Sequence, residues 1–172
     1  MNDDRWWQEF DSGKVLDKTS IDATLPHRGD MSFLNRVSLL EDDSVIGEVL
    51  LDDTAFWAPG HFPVPEVNDG AFKIGPIFPG VLMIESAAQL GIVFWRNRLG
   101  MKETSTRTML FKQIEKASFN KEARPGDRLL IRGTLDKASL RLMRCRFQGI
   151  VFKADNEEPF PCFECQIAGL SV

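Results

Sequence analysis

Pro79-Gly80-Val81-Leu82-Met83-Ile84-Glu85-Ser86-Ala87-Ala88-Gln89-Leu90-Gly91-Ile92-Val93-Phe94-Trp95 is the stretch on which the fold turns. Pro79 and Gly80 open it, and apolar residues then fall on nearly every side, which predicts one long helix over 81–98. A helix that is apolar all round has to be buried on most faces. Arg96, Arg98 and Lys102 suit the negative end of its dipole, and Gly100 suits a C-terminal stop. Glu85, Ser86 and Gln89 interrupt the apolar run, so it is not a bilayer span.

Outward from this helix the pattern changes to period two. Residues 106–119, 128–136, 140–153 and 160–170 read as four long strands separated by turn sequences such as Arg124-Pro125-Gly126-Asp127. Leu140-Arg141-Leu142-Met143-Arg144-Cys145-Arg146-Phe147 alternates apolar and charged residues, the mark of a sheet with one wet face. On the N-terminal side, 33–40 and 45–51 flank Glu41-Asp42-Asp43-Ser44 and predict a hairpin. Residues 58–80 are rich in proline and glycine and form a long loop, a place where function often resides. Residues 1–20 read as an N-terminal extension, with Trp6, Trp7 and Phe10 on one face of a short helix that Ser12-Gly13 ends. Residues 21–172 then form a single domain. The fold class is α+β, a long antiparallel sheet curled around one buried helix.

Composition limits the function. At 172 residues the chain is one domain with enough length for a core that needs no disulfides. Three cysteines cannot close a disulfide framework, and the acidic start Met-Asn-Asp-Asp-Arg-Trp-Trp is not a signal peptide, so a soluble cytoplasmic protein is expected. Residues 1–90 carry 6 bases and 16 acids, net −10, whereas 91–153 carry 15 bases and 5 acids, net +10. Two readings follow: the segments interleave and neutralise each other, or the basic one attracts an acidic partner. A sequence pI of about 5.3 argues against nucleic acid.

Two side chains stand out chemically. His61, in Pro59-Gly60-His61-Phe62-Pro63 just before the helix, is a candidate general base; a loop histidine without a role is the alternative. Glu85 sits one turn into an apolar helix, either as a functional carboxyl or as a first-turn acid facing water. Gln89 is one turn further on the same face, within reach of Glu85. Gly80 and Val81 present backbone N–H groups with no partner inside the helix, a place to receive an oxygen that gains negative charge. Cys162-Phe163-Glu164-Cys165 has a metal-ligand spacing, but residues three apart on a strand face opposite sides and no second pair exists, so no metal site is expected.

Leu25-Pro26-His27-Arg28, Phe33-Leu34-Asn35-Arg36-Val37, Gly60-His61-Phe62-Pro63 and 76–89, followed by 111–119 and Arg124-Pro125-Gly126-Asp127, resemble the 3-hydroxyacyl-acyl carrier protein dehydratases of the hot-dog fold. The resemblance spans about 21–170, with Glu85 as in the Glu-type branch, where the dehydratase/isomerase branch carries Asp. It implies dehydration of a (3R)-3-hydroxyacyl thioester to the trans-2-enoyl product, on acyl carrier protein or coenzyme A. His61 would be the base and Glu85 the partner acid, protonated or holding a water, with Gly80 and Val81 donating to the thioester carbonyl. The reaction requires no metal and no redox cofactor. The resemblance also implies a homodimer or a trimer of such dimers, with the active site between subunits. His27 belongs to a matching motif but is remote from the others in sequence, and a structural role is expected for it. One departure is plain: 64–75 intervenes between the His61 motif and Pro76, and Phe72 and Ile74 in it are expected to cap the acyl pocket. A dehydratase or hydratase of a specialised lipid or polyketide-like pathway, and a non-catalytic module that binds acyl carriers, are the rival readings.

Overall fold

The computed structural model describes residues 5–62, 75–102, 105–156 and 158–172. The segment 64–75, expected to cap the acyl pocket, lies outside the described residues except for Gly75. The elements in chain order are β1 (Lys14–Leu16), α1 (Lys18–Thr24), β2 (Arg36–Leu39), β3 (Ser44–Leu50), α2 (Gly80–Arg98), β4 (Met109–Phe119), β5 (Arg128–Ala138), β6 (Leu142–Phe152) and β7 (Phe160–Ser171). The strands form one antiparallel sheet in the order β1-β2-β3-β5-β6-β7-β4. The expected hairpin is β2–β3, and the four later strands stand where the period-two pattern put them, with ends shifted by up to three residues.

α2 runs across the concave side of this sheet and packs on β3, β5, β6, β4 and β7. Met83, Ile84 and every residue from Ser86 to Arg96 are buried, which is why nearly all sides of the helix are apolar. Gly91 lets the helix approach β6 closely, because a Cβ there would lie 2.9 Å from the Met143 methyl and 3.2 Å from the Phe147 ring. Trp95, fully buried, satisfies its indole N–H by donating to the Ser139 carbonyl at 2.8 Å. Helix and curled sheet together are the hot-dog arrangement.

Arg96 does more than answer the helix dipole. Its guanidinium is buried and donates to the carbonyls of Lys102, Ser105 and Arg107, which ties the α2–β4 connection to the helix. The cysteine expectation needs correction in one respect. Cys162 and Cys165 are both buried in the main core, because a register shift between Gly149 and Ile150 places a bulge beside Cys162. Burial pushes all three thiols up to about 12, as befits inert core cysteines. Among the described residues no group of three or more His, Cys, Asp or Glu side chains is arranged to hold a metal, and no helix is long and apolar enough to cross a membrane.

The charge halves interleave. Arg98 pairs with Asp43, Arg128 with Glu48, and Arg132 with Asp42 and Glu9. The Arg128 and Asp42 pairs form because β3 and β5 are neighbours, whereas Arg98 reaches Asp43 from the end of α2 and Glu9 comes from the N-terminal segment.

The extension is docked on the convex side. Trp6 and Phe10 pack with Ile46, Leu130 and Ile150 in a second apolar cluster. The Phe10 ring lies under the guanidinium groups of Arg36 at 4.9 Å and Arg128 at 5.5 Å. β1 then adds an edge to the sheet, and Asp17 caps α1 by accepting from the Ser20 N–H at 2.9 Å. Phe10 is only 3% exposed, so Phe10→Ala should cost about 3 kcal/mol, the low end for a buried ring because the cluster is small. Urea unfolding measures it, and a loss under about 1 kcal/mol would mean that the extension adds little to stability.

Candidate active site at the head of the central helix

The helix start is built from the residues before it. Phe78 is fully buried, its ring edge-on to Trp57 at 5.2 Å and to Phe33 at 6.0 Å. Its N–H donates to the Ala123 carbonyl at 2.8 Å, which fixes the chain just ahead of Pro79. The Leu82 and Met83 N–H groups donate back to the Pro79 carbonyl at 2.9 and 3.1 Å. Gly80 and Val81 have no backbone hydrogen-bond acceptor among the described residues. Gly80 lies against the Phe119 ring, which a Cβ would meet at 2.9 Å, so a side chain here would push the ring away.

His61 is held beside this helix start. Its Nδ1 lies 2.7 Å from the Ile77 carbonyl oxygen, and the Ile77 N–H donates back to the His61 carbonyl at 3.3 Å. A carbonyl only accepts, so Nδ1 carries the proton and Nε2 keeps its lone pair, as a base requires. The neighbouring Phe62 has φ of 60° and is half exposed, a left-handed conformation that L side chains seldom adopt and that clusters at functional sites.

Glu85 faces a different neighbour. It lines an apolar cleft with His27, Ile92, Met109, Phe111 and Met143. Its Oε1 lies 3.2 Å from His27 Nε2 and accepts from Gln89 Nε2 at 2.9 Å. Gln89, fully buried, also donates to the Met31 carbonyl at 2.8 Å and accepts from the Phe33 N–H at 3.1 Å. Burial opposes ionisation of Glu85, yet hydrogen bonds from His27 and Gln89 outweigh it and hold the carboxyl below the ordinary glutamate range. The first-turn acid facing water is therefore not what the fold contains. Of the two forms that the resemblance implies, a protonated Glu85 or one that holds a water, its hydrogen-bond partners favour the carboxylate.

Within one chain, His61 and Glu85 share no hydrogen bond or ion pair among the described residues. The structure ties His61 to Ile77, three residues before Gly80, and brings Glu85 to His27. His27 was the residue that sequence reasoning set aside. Its signals were the Leu-Pro-His-Arg motif and the need of a buried carboxyl for a partner.

Comparisons with known proteins give the family. A family model described as a FabA-like domain matches residues 25–156. The chain belongs to the FabA-like family. Within it the chain is similar to the 3-hydroxyacyl-acyl-carrier-protein dehydratase FabZ of Paramagnetospirillum magneticum, 34% identical over 127 residues that cover 72% of this chain and 71% of that one. It is similarly related to FabZ of Desulforamulus reducens, 34% identical over 135 residues covering 74% and 86% of the two chains. Among solved structures it superposes on the dehydratase heterocomplex ApeI:P of Xenorhabdus doucetiae with a TM-score of 0.60 at 18% identity, over 88% of this chain and 90% of that one. The β-alanyl-CoA:ammonia lyase of Clostridium propionicum gives 0.51 at 12% identity, over 74% and 83%. Likeness at such identities speaks for the fold alone. The FabA-like match ends at 156 and begins at 25, so the docked N-terminal segment lies outside it.

The Glu85 hydrogen bonds make a pH prediction. A carboxyl held below its unfolded value, 4.5, stabilises the fold above that pH and loses the contribution as pH falls through the folded value. Glu85→Gln should therefore be less stable than the native chain at pH 7, and the gap should be smaller well below pH 4.5. Urea unfolding at both pH values checks this, and a gap that is equal at the two would refute it.

Proposed function

We propose that the chain dehydrates 3-hydroxyacyl thioesters carried on acyl carrier protein to their trans-2-enoyl products, at a site that two copies of the chain complete. The family supplies the reaction: the chain is an enzyme, a dehydratase of fatty-acid biosynthesis. The observation that carries the site is the head of α2, where the N–H groups of Gly80 and Val81, without an acceptor among the described residues, stand one turn before Glu85, the single carboxylate of the helix.

The chemistry follows from these groups. The thioester carbonyl oxygen gains negative charge when the C2 proton leaves, and the Gly80 and Val81 N–H groups stabilise it. One such oriented donor is worth about 10²–10³-fold in rate. His61 takes the C2 proton on Nε2, a step worth roughly 10²–10⁴-fold for a placed base. Glu85 serves the other end of the elimination, where the C3 hydroxyl must leave as water. The apolar walls of its cleft suit an acyl chain.

The second copy is argued from the sheet edge. β4 is an eleven-residue edge strand exposing Leu110, Phe111, Ile114 and Phe119. A long apolar edge invites another strand, and a copy of β4 paired along it would cover these residues. Leu110 and Phe111 also line the Glu85 cleft, so whatever covers β4 closes that cleft. In this reading the partner's base enters there, so that His61 of one chain meets Glu85 of the other. Lys112 and Lys116, exposed on the same strand, and Arg107 just before it, offer positive charge to an acidic carrier protein.

Mixing subunits tests the shared site. His61→Ala and Glu85→Gln proteins should each be inactive with a native fold. When the two are refolded together, about half the dimers are mixed and each mixed dimer has one intact site, so about a quarter of the sites should work. Enoyl absorbance follows the recovery, and a mixture that stays dead although heterodimers have formed would sink the proposal.

A further inference from the structure

Lys153 and Asp127 form an enclosed ion pair that the reaction above does not use. Lys153 Nζ lies 2.8 Å from Asp127 Oδ2, and the two side chains are 15% and 6% exposed. Taking two charges out of water costs about as much as their attraction returns, so such a pair is weak evidence of stability. What this one supplies is geometry, in the turn 122–127 ahead of β5.

The same Asp127 Oδ2 accepts from the Arg124 N–H at 2.8 Å, and Lys153 also donates to the Glu122 carbonyl at 2.8 Å. Ala123, fully buried, lies between these two anchors. The Ala123 carbonyl and the Arg124 N–H belong to one peptide unit, which is planar, with the two groups pointing to opposite sides. Asp127 holds the N–H of that plane, and its carbonyl accepts from the Phe78 N–H at 2.8 Å. The turn is clamped in turn to the end of β3. Gly126 N–H donates to the Leu51 carbonyl at 2.8 Å, and Leu51 N–H donates to the Asp127 carbonyl at 3.1 Å.

Phe78 stands two residues before Gly80. The N-cap of α2 is Pro79, with no side-chain cap, so the first N–H groups are aimed by the backbone that enters the helix. Pro79 adds little freedom of its own, since its ring fixes φ, here at −59°. A tilt of the peptide between Ala123 and Arg124 therefore passes through Phe78 and Pro79 to the N–H groups of Gly80 and Val81.

We propose that Asp127 is a positioning residue for the thioester end of the site. One of its carboxylate oxygens fixes the peptide plane that holds Phe78, and so aims the Gly80 and Val81 N–H groups at the carbonyl oxygen, while Lys153 seats and neutralises that carboxylate. This rests on the dehydratase reading. In this role Asp127 touches no reacting atom. An oxyanion donor contributes only where it points at the developing charge, and a displacement of about 1 Å can cost about 10²-fold in rate.

Replacing one partner alone would strand the other's charge, so both are changed together. Lys153→Met with Asp127→Ala removes the charges and the acceptor. Lys153→Met with Asp127→Asn removes the charges and keeps an oxygen for the Arg124 N–H. The expected result is a kcat about 10-fold below native in the alanine form, with KM changed less than about threefold, and recovery of most of that loss in the asparagine form. Phe10→Ala, on the convex side, controls for lost stability and should keep its kcat. Equal kcat in the two double variants would overturn the proposal, as would an equal fall in Phe10→Ala. A second measurement needs no turnover. Hydrogen exchange at the Phe78 amide should quicken about 10-fold in the alanine form relative to the core amides of β6, and slow again in the asparagine form. Exchange at Phe78 that is the same in the native chain and the alanine form would overturn the proposal. An unaltered protein with no dehydratase activity would instead be a failure of the dehydratase reading, and the Phe78 exchange would still judge whether Asp127 holds the entry to α2.

Discussion

A primary amide buried in the middle of an apolar helix is the interaction on which the site depends. Leaving such a group unpaired costs on the order of 1–3 kcal/mol. Gln89 avoids that penalty by reaching Met31 and Phe33 on one side and Glu85 on the other. The loop after α1 is thereby bound to the helix over a separation of more than fifty residues. Because that loop begins near His27, satisfying Gln89 also sets the histidine against Glu85. The amide thus ties Glu85 to the loop that carries Met31 and Phe33.

The other end depends on a small backbone closure. His61 and Ile77 exchange hydrogen bonds, one through the ring and one through the main chain. Whatever chain lies between them starts and ends at this pair. Lengthening a closed loop adds little entropic cost, about 0.6 kcal/mol per doubling. The fold can therefore accommodate an insertion between the two motifs without moving the base relative to Gly80 and Val81. Phe78, buried on Trp57 and Phe33, anchors the far side of the same closure.

Much of this was legible in the sequence, for physical reasons that differ by element. α2 announced itself because a helix covered on all sides must be apolar on all sides, and β6 because one wet face imposes period two, seen in the alternation of Met143, Arg144, Cys145, Arg146 and Phe147. β1 and α1 were not legible: three and seven residues carry too little periodicity, and they are held by pairing to β2 and by the Asp17 cap. The two faces expected for Cys162 and Cys165 failed because a bulge shifts the phase of a strand, and nothing in the residues marks it. His27 was missed for a plainer reason. Its importance comes from a contact across 58 residues, and separation along the chain says nothing about such contacts.

The division of the site also explains why its two polar ends have opposite environments. His61 donates Nδ1–H to the Ile77 carbonyl, a partner that fixes the ring's orientation and leaves Nε2 to point elsewhere. Glu85 sits with a histidine and an amide that both donate to it, partners that favour charge on the carboxyl. Had the two residues been neighbours in one chain, each would have been the other's hydrogen-bond partner before substrate arrived. The imidazole would then be drawn toward the imidazolium by the carboxylate, and its basicity would be spent on Glu85. In the proposed reaction, His61 near the helix start and Glu85 further along it, each with its own partner, are both available to a substrate between two chains. The exposed apolar edge strand β4 is where the proposed second chain would be seated.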